Sequence, residues 1–236
     1  MVLTKLILAH LIGDFFLQPG SWIENKKEKK WRSPFLWVHS IIHFLLILIV
    51  FWEYSVWPVA LMIAGSHLII DGLKLSLQNT DTQLRWFITD QLAHLCVILL
   101  AWLFFWESSL ISIQPDAIWI MLTGVLFLTF PTAVIMQRFL QQWSHQFETD
   151  DDGTLRGAGT YIGIFERMFI IIAIFTSNLS VIGFLLAAKS VFRFGDLTRS
   201  EDRKLTEYIL IGTLLSFLIA ILTGLIMLWG IEQVSM

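Results

Sequence analysis

Five of the six histidines in this sequence stand four residues away from an aspartate or from another histidine. Residues at this spacing lie on one face of a helix, so each pair presents two such groups side by side. Imidazole and carboxylate groups bind divalent transition metals, and they also transfer protons as general acids and bases. The eight residues are His10 and Asp14, His39 and His43, His67 and Asp71, and Asp90 and His94.

All four pairs lie within strongly apolar stretches of the chain. An aspartate at the centre of a membrane helix costs about 2.5–3.5 kcal/mol on insertion scales, and such residues usually mark function. The alternative is that the pairs form hydrogen bonds between helices and only stabilise the bundle. Because the pairs recur on four consecutive helices, we favour a metal site.

Eight candidate ligands exceed the four of a tetrahedral site, and two arrangements remain open. One is a two-metal site with ions about 3.5–4 Å apart. The other is one metal ion with the remaining residues orienting its ligands. The single cysteine, Cys96, offers no thiolate set. Imidazole with carboxylate suits zinc, manganese or iron, and we prefer zinc. Asp14 and Asp90 are the catalytic candidates, since a buried carboxylate beside a metal can act as a general base.

The composition is that of a membrane protein. Of the 236 residues, 56% are hydrophobic and 15% are charged, with a mean hydropathy of +0.71. Soluble domains carry about 25% charged residues. The alternation of a membrane β-barrel is absent, so we predict an all-α, polytopic transmembrane helical bundle.

Apolar runs long enough for helices predict about eight membrane spans in one membrane domain, residues 1–236. Within it, residues 1–106 would be the metal-binding half, and residues 117–236 would be a second half with a basic pocket. The predicted spans cover residues 2–18, 35–52, 57–77, 86–106, 117–140, 161–177, 180–194 and 205–230.

The basic residues predict the orientation. With the first helix running inward, all of the 16 lysines and arginines except Lys5 and Arg167 fall in inward loops or at inner helix ends. Cytoplasmic loops are enriched in these residues. We therefore predict a bacterial inner-membrane protein with both termini outside. The four His/Asp pairs then lie at similar depths in the inner half of the bilayer. This agreement is independent, because the orientation was assigned from the lysines and arginines alone.

The motifs HLIGDFFLQ, HSIIH, HLIIDGLK and F..DQ..H resemble a family of bacterial integral membrane proteins that is defined only as a domain of unknown function. The later segments GIFER, AAKSVFRFGD and EYILIGTLLS are also similar to it. This resemblance implies no activity. The motifs are more loosely similar to membrane-bound metal-dependent hydrolases, which also use short His/Asp motifs on early helices.

The second half contains a group of charges near predicted inner helix ends. Arginine geometry suits phosphate and other anions, so this group predicts a substrate-binding pocket. The alternatives are a structural salt bridge and side chains that simply reach toward water. The residues are Glu166, Arg167, Lys189 and Arg193.

Together these features predict a metal-dependent membrane hydrolase whose site opens to the cytoplasmic side. Its substrate would be an amphiphile, such as an anionic or phosphorylated lipid, and the lysine-rich KKEKK run is assigned to topology and lipid contact rather than to nucleic acid. One rival is a transporter or channel for metal ions or protons. Another is a structural or sensory membrane protein with pH-sensitive histidines.

Overall fold

A computed structural model describes residues 2–79, 82–107, 117–144, 157–191 and 200–235. The described residues form α-helices and short 3₁₀ turns and no strand, which confirms the predicted all-α fold. The chain forms two compact units, Met1–Thr123 and Gly124–Met236, and each is described separately below.

The first unit contains the helices that carry the His/Asp pairs. They are α1 (Val2–Phe15), α2 (Gly20–Lys29), α3 (Pro34–Phe51), α4 (Trp57–Leu77) and α5 (Gln83–Glu107), followed by the first part of α6 (Ala117–Phe127). Proline in the first turn of α3 and of α4 is favourable, because the amide at that position has no partner within the helix.

Four of these helices form a ring in which α1 and α4 each pack against both α3 and α5. One end of the ring is filled by apolar side chains. They come from the start of α1, the end of α3, the start of α4 and the end of α5, and include Leu6, Ile47, Phe51, Ile63 and Ile98. Each is at most 6% exposed. The ring is therefore sealed at this end, and the His/Asp pairs lie toward the other.

The chain bends by 81° between α1 and the segment Gly20–Arg32. The predicted first span, residues 2–18, is therefore a 14-residue helix followed by a turn. At 1.5 Å per residue α1 is about 21 Å long, which is less than the roughly 30 Å hydrocarbon thickness. The polar segment after the bend packs back against α3 and α4.

The second unit contains the rest of α6 and four further helices. They are α7 (Phe130–Ser144), α8 (Ala158–Phe175), α9 (Ser180–Val191) and α10 (Ser200–Ser235). Helix α8 packs against α7, α9 and α10, and α10 also contacts α7. Residue Arg193 lies outside the described residues.

The span predicted over residues 117–140 is interrupted between α6 and α7. Pro131 has no amide hydrogen to donate to the carbonyl of Phe127, and its ring opposes a continuous helix. The hydroxyl of Thr132 donates to that carbonyl instead, at 2.7 Å. The break was not predicted, although its cause, Pro131, can be read from the sequence.

Within the part of the chain that the structure describes, six helical segments are long and apolar enough to cross a membrane, as expected of a multi-pass membrane protein. They confirm six of the eight predicted spans, and the bent α1–α2 pair would be a seventh. The span predicted over residues 180–194 is described only as α9, with 12 residues. Residues 192–194 of that predicted span lie outside the described residues.

Candidate metal centre

Asp14 lies at the centre of the His/Asp cluster. Its Oδ1 atom is 2.9 Å from Nε2 of His67, 3.1 Å from Nε2 of His43 and 3.3 Å from Nε2 of His39. These imidazoles come from α3 and α4, while Asp14 ends α1. Three ring nitrogens from two helices thus converge on one carboxylate oxygen, which is a donor set that suits a divalent transition metal.

The other Asp14 oxygen, Oδ2, is contacted by one residue of α5 and one residue of α1. Gln91 Nε2 donates to Oδ2 at 2.9 Å, and Gln91 Oε1 is 3.3 Å from His10 Nε2. His10 Nε2 itself is 3.8 Å from Asp14 Oδ2. Gln91 therefore connects His10 to Asp14 and fixes the orientation of the carboxylate, a supporting role typical of residues around metal ligands.

A second group of ligands lies on α4 and α5. His94 Nε2 is 3.5 Å from Asp90 Oδ1 and 3.8 Å from Asp71 Oδ1. Asp71 Oδ2 is 3.9 Å from His39 Nε2, so this group adjoins the one around Asp14.

All eight predicted metal ligands are thus brought together. Within each of three overlapping sets the ligand atoms lie within 4.8 Å of one another, so each set can hold a metal ion. The sets share His67 and Asp71. They are His10, Asp14, His43 and His67; His39, His67 and Asp71; and Asp71, Asp90 and His94.

The cluster is buried, and part of it has no protein partner. Among the described residues, neither ring nitrogen of His39 has a hydrogen-bond partner, and Nδ1 of His67, Oδ1 of Asp90 and Nε2 of His94 also have none. All four side chains are at most 3% exposed. A buried polar atom without a partner costs about 1–3 kcal/mol, so several in one place indicate a ligand-binding site.

Two lysines that were not predicted to belong to the cluster also contact it. Lys26 Nζ donates to Asp71 Oδ2 at 2.9 Å, and Lys74 Nζ donates to Asp90 Oδ2 at 2.7 Å. Lys26 is 4% exposed, because the bend after α1 turns α2 back over the ring. Lys26 belongs to the KKEKK run and was assigned to topology. Only the contact of Lys74 could have been predicted from the sequence, because Lys74 lies one helical turn after Asp71 on the same helix.

These lysines set the charge of the cluster. With neutral imidazoles, the three carboxylates and two ammonium groups leave one net negative charge, since three minus two is one. One divalent cation would make the cluster net positive.

Two glycines make room for the cluster. A Cβ atom on Gly13 would lie 2.4 Å from Cε1 of His43, so any side chain there would displace the imidazole. A Cβ atom on Gly72 would lie 2.2 Å from the Trp31 ring, whose Nε1 donates to Ser76 Oγ at 3.0 Å. Gly72 therefore allows the segment that carries Lys26 to pack on α4.

The predicted substrate-binding residues lie in the second unit. Lys189 Nζ donates to Glu166 Oε2 at 2.8 Å. Arg167 is 2% exposed and donates to the carbonyls of Leu128 and Thr129, at 2.6 and 3.3 Å. Those carbonyls flank the break between α6 and α7.

Residues 2–121 match the family described as "Protein of unknown function (DUF3307)". The chain belongs to this family. The matched range contains all eight His/Asp residues of the cluster, so the centre lies within the part that defines the family. No curated protein and no solved structure was found to match the chain.

Proposed function

We propose that this DUF3307 protein is a metal-dependent hydrolase of the bacterial inner membrane. The observation that carries the proposal is the convergence of three imidazole nitrogens on Asp14, beside a second set with two carboxylates and one imidazole. Imidazole with carboxylate suits zinc, manganese or iron, and zinc is our preferred metal among them. A bound divalent cation would activate a water molecule and polarise an acyl or phosphoryl oxygen.

The residues divide into two adjacent metal-binding groups. His10, Asp14, His43 and His67 would hold one ion, and Asp71 and His94 would hold another beside Asp90.

Asp90 is the better of the two candidates for the general base. Its Oδ2 is held by Lys74, while its Oδ1 is buried and has no hydrogen-bond partner among the described residues. Oδ1 is therefore placed to accept a proton from water. Both oxygens of Asp14 already contact nitrogen atoms, so Asp14 is better suited to be a metal ligand than a general base.

The substrate that fits this location is an amphiphile with an anionic ester or phosphoester head. Such a molecule reaches the polar end of the ring from the bilayer, and its charge offsets the positive charge of the metal-loaded cluster.

The structure offers less support for a transporter. A pathway for ions needs polar groups through the thickness of the membrane, but the opposite end of the α1–α3–α4–α5 ring is filled mainly by apolar side chains, beside the buried Lys5. A hydrolase needs access from one side only.

Metal analysis and turnover of detergent-purified protein test the proposal together. We expect one or two zinc ions per chain and metal-dependent release of phosphate or fatty acid from phosphatidic acid or phosphatidylglycerol in mixed micelles. His67→Ala should lose both properties, whereas Glu53→Gln, an exposed residue away from the cluster, should retain them. Zinc flux into proteoliposomes by a zinc-loaded protein that hydrolyses none of these amphiphiles would instead support the transporter.

A further inference from the structure

The second unit contains a cavity of about 650 Å³ between α7, α8, α9 and α10. Its charged lining residues are Glu166, Arg167 and Lys189, and hydroxyl groups line it at Thr160, Thr213 and Ser216. The apolar lining includes Phe130, Val134, Met136, Leu140 and Ile209. Cavities of this size accommodate small molecules, and this lining combines a charged part with an apolar part.

The charges of this cavity do not balance. Glu166 is paired with Lys189 at 2.8 Å, but Arg167 has no carboxylate within 4.0 Å among the described residues. Among the described lining residues, one minus and two plus charges leave a net charge of plus one. Arg167 lies in the membrane-spanning helix α8, where an unpaired charge is costly and usually has a partner.

The Arg167 guanidinium has N–H groups that donate no hydrogen bond within the described residues. Of its five N–H groups, one on Nε goes to the Leu128 carbonyl, one on Nη1 to Ser216 Oγ at 3.1 Å, and one on Nη2 to the Thr129 carbonyl. Five minus three leaves two N–H groups, one on each terminal nitrogen. Adjacent donors of this kind bind two oxygens of a phosphate or carboxylate.

We propose that this cavity binds the anionic headgroup of a membrane lipid, with the phosphate on Arg167 and Lys189 and an acyl chain along the apolar lining. This site lies in the second unit, whereas the proposed hydrolase centre lies in the first. Phosphatidylglycerol supplies the required charge, whereas phosphatidylcholine is zwitterionic.

Native mass spectrometry of the full chain, with each lipid added in detergent, tests the proposal. We expect retention of phosphatidylglycerol but not of phosphatidylcholine. Arg167→Gln removes the charge and keeps an amide donor for the Leu128 carbonyl, and it should weaken phosphatidylglycerol retention at least about tenfold. An unchanged circular-dichroism spectrum and elution volume in detergent would show that the variant still folds, and neither measurement depends on the hydrolase proposal.

Two glycines provide a matched pair for a second test. Neither Gly159, which lines the cavity, nor Gly183 on α9 has an atom within 4 Å of an added Cβ. Gly159→Leu should reduce lipid retention by obstructing the cavity, while Gly183→Leu should not. Equal retention of both lipids, or full retention by folded Arg167→Gln, would overturn the proposal.

Discussion

At the scale of single residues, the metal hypothesis depends most on Asp14. One of its carboxylate oxygens has three imidazole nitrogens at 2.9–3.3 Å, an arrangement that could hold a metal ion. Two other histidines, His10 and His94, extend the set. In the pair on α1, Asp14 lies at the centre of the cluster, and His10 contacts Gln91, which in turn donates to Asp14.

Asp14→Asn should lower metal affinity by at least about tenfold, since even residues that only support ligands cost 10–100-fold. Asparagine keeps the shape and hydrogen bonding of aspartate but removes its charge. Metal content after dialysis against a chelator is the measurement, with Asp14→Leu in parallel. If Asn retained the metal and only Leu lost it, Asp14 would be a structural residue.

Gly13→Ala should disrupt the site without changing any ligand. The new Cβ would approach the His43 ring to 2.4 Å, so the imidazole must move. Overpacking of this kind typically costs about 1–3 kcal/mol. We expect a lower Tm and reduced metal content, whereas Gly65→Ala on α4, which has open space at its Cβ, should change neither. Normal metal content in Gly13→Ala would show that His43 is not a ligand.

At the scale of helices, the sequence predicted the elements better than their connections. The i, i+4 spacing and the apolar runs predicted the four helices that carry the pairs, and alternating helix direction predicted that the pairs meet. The 81° bend after α1 was not predicted, because the turn residues Pro19 and Gly20 do not encode the direction in which α2 returns. The contact between Lys26 and Asp71 depends on that bend and was missed with it.

Lys26→Met should destabilise the metal-free protein more than the metal-loaded one. Removing one partner of a buried ion pair leaves the other charge uncompensated and typically costs about 3–5 kcal/mol. A cation bound by Asp71 would compensate that charge. The measurement is Tm in detergent with chelator and with zinc, and exposed Lys27→Met is the control. An equal loss of Tm in both conditions would mean that no metal binds beside Asp71.

At the scale of the whole molecule, the two units separate two kinds of chemistry. The first unit contains the His/Asp cluster and matches the family, while the second contains the buried arginine and its cavity. The sequence predicted both groups of residues. It could not predict that Arg167 also donates to the carbonyls at the break between α6 and α7, because that contact joins residues 38 and 39 positions apart.

The distribution of basic residues makes a prediction about topology. Lys26, Lys74 and Arg85 lie near the polar end of the first unit, and cytoplasmic loops are enriched in such residues. In a Cys96→Ser background, cysteines at Asn25 and Asp151 should resist an impermeant thiol reagent added to intact cells. A cysteine at Ser235 should react, because α10 follows the basic stretch Arg199–Lys204 and is long enough to cross to the outer side. All three should react after the cells are opened. Labelling of Asn25→Cys from outside would reverse the orientation, and protection of Ser235→Cys would show that the region of α9 does not cross.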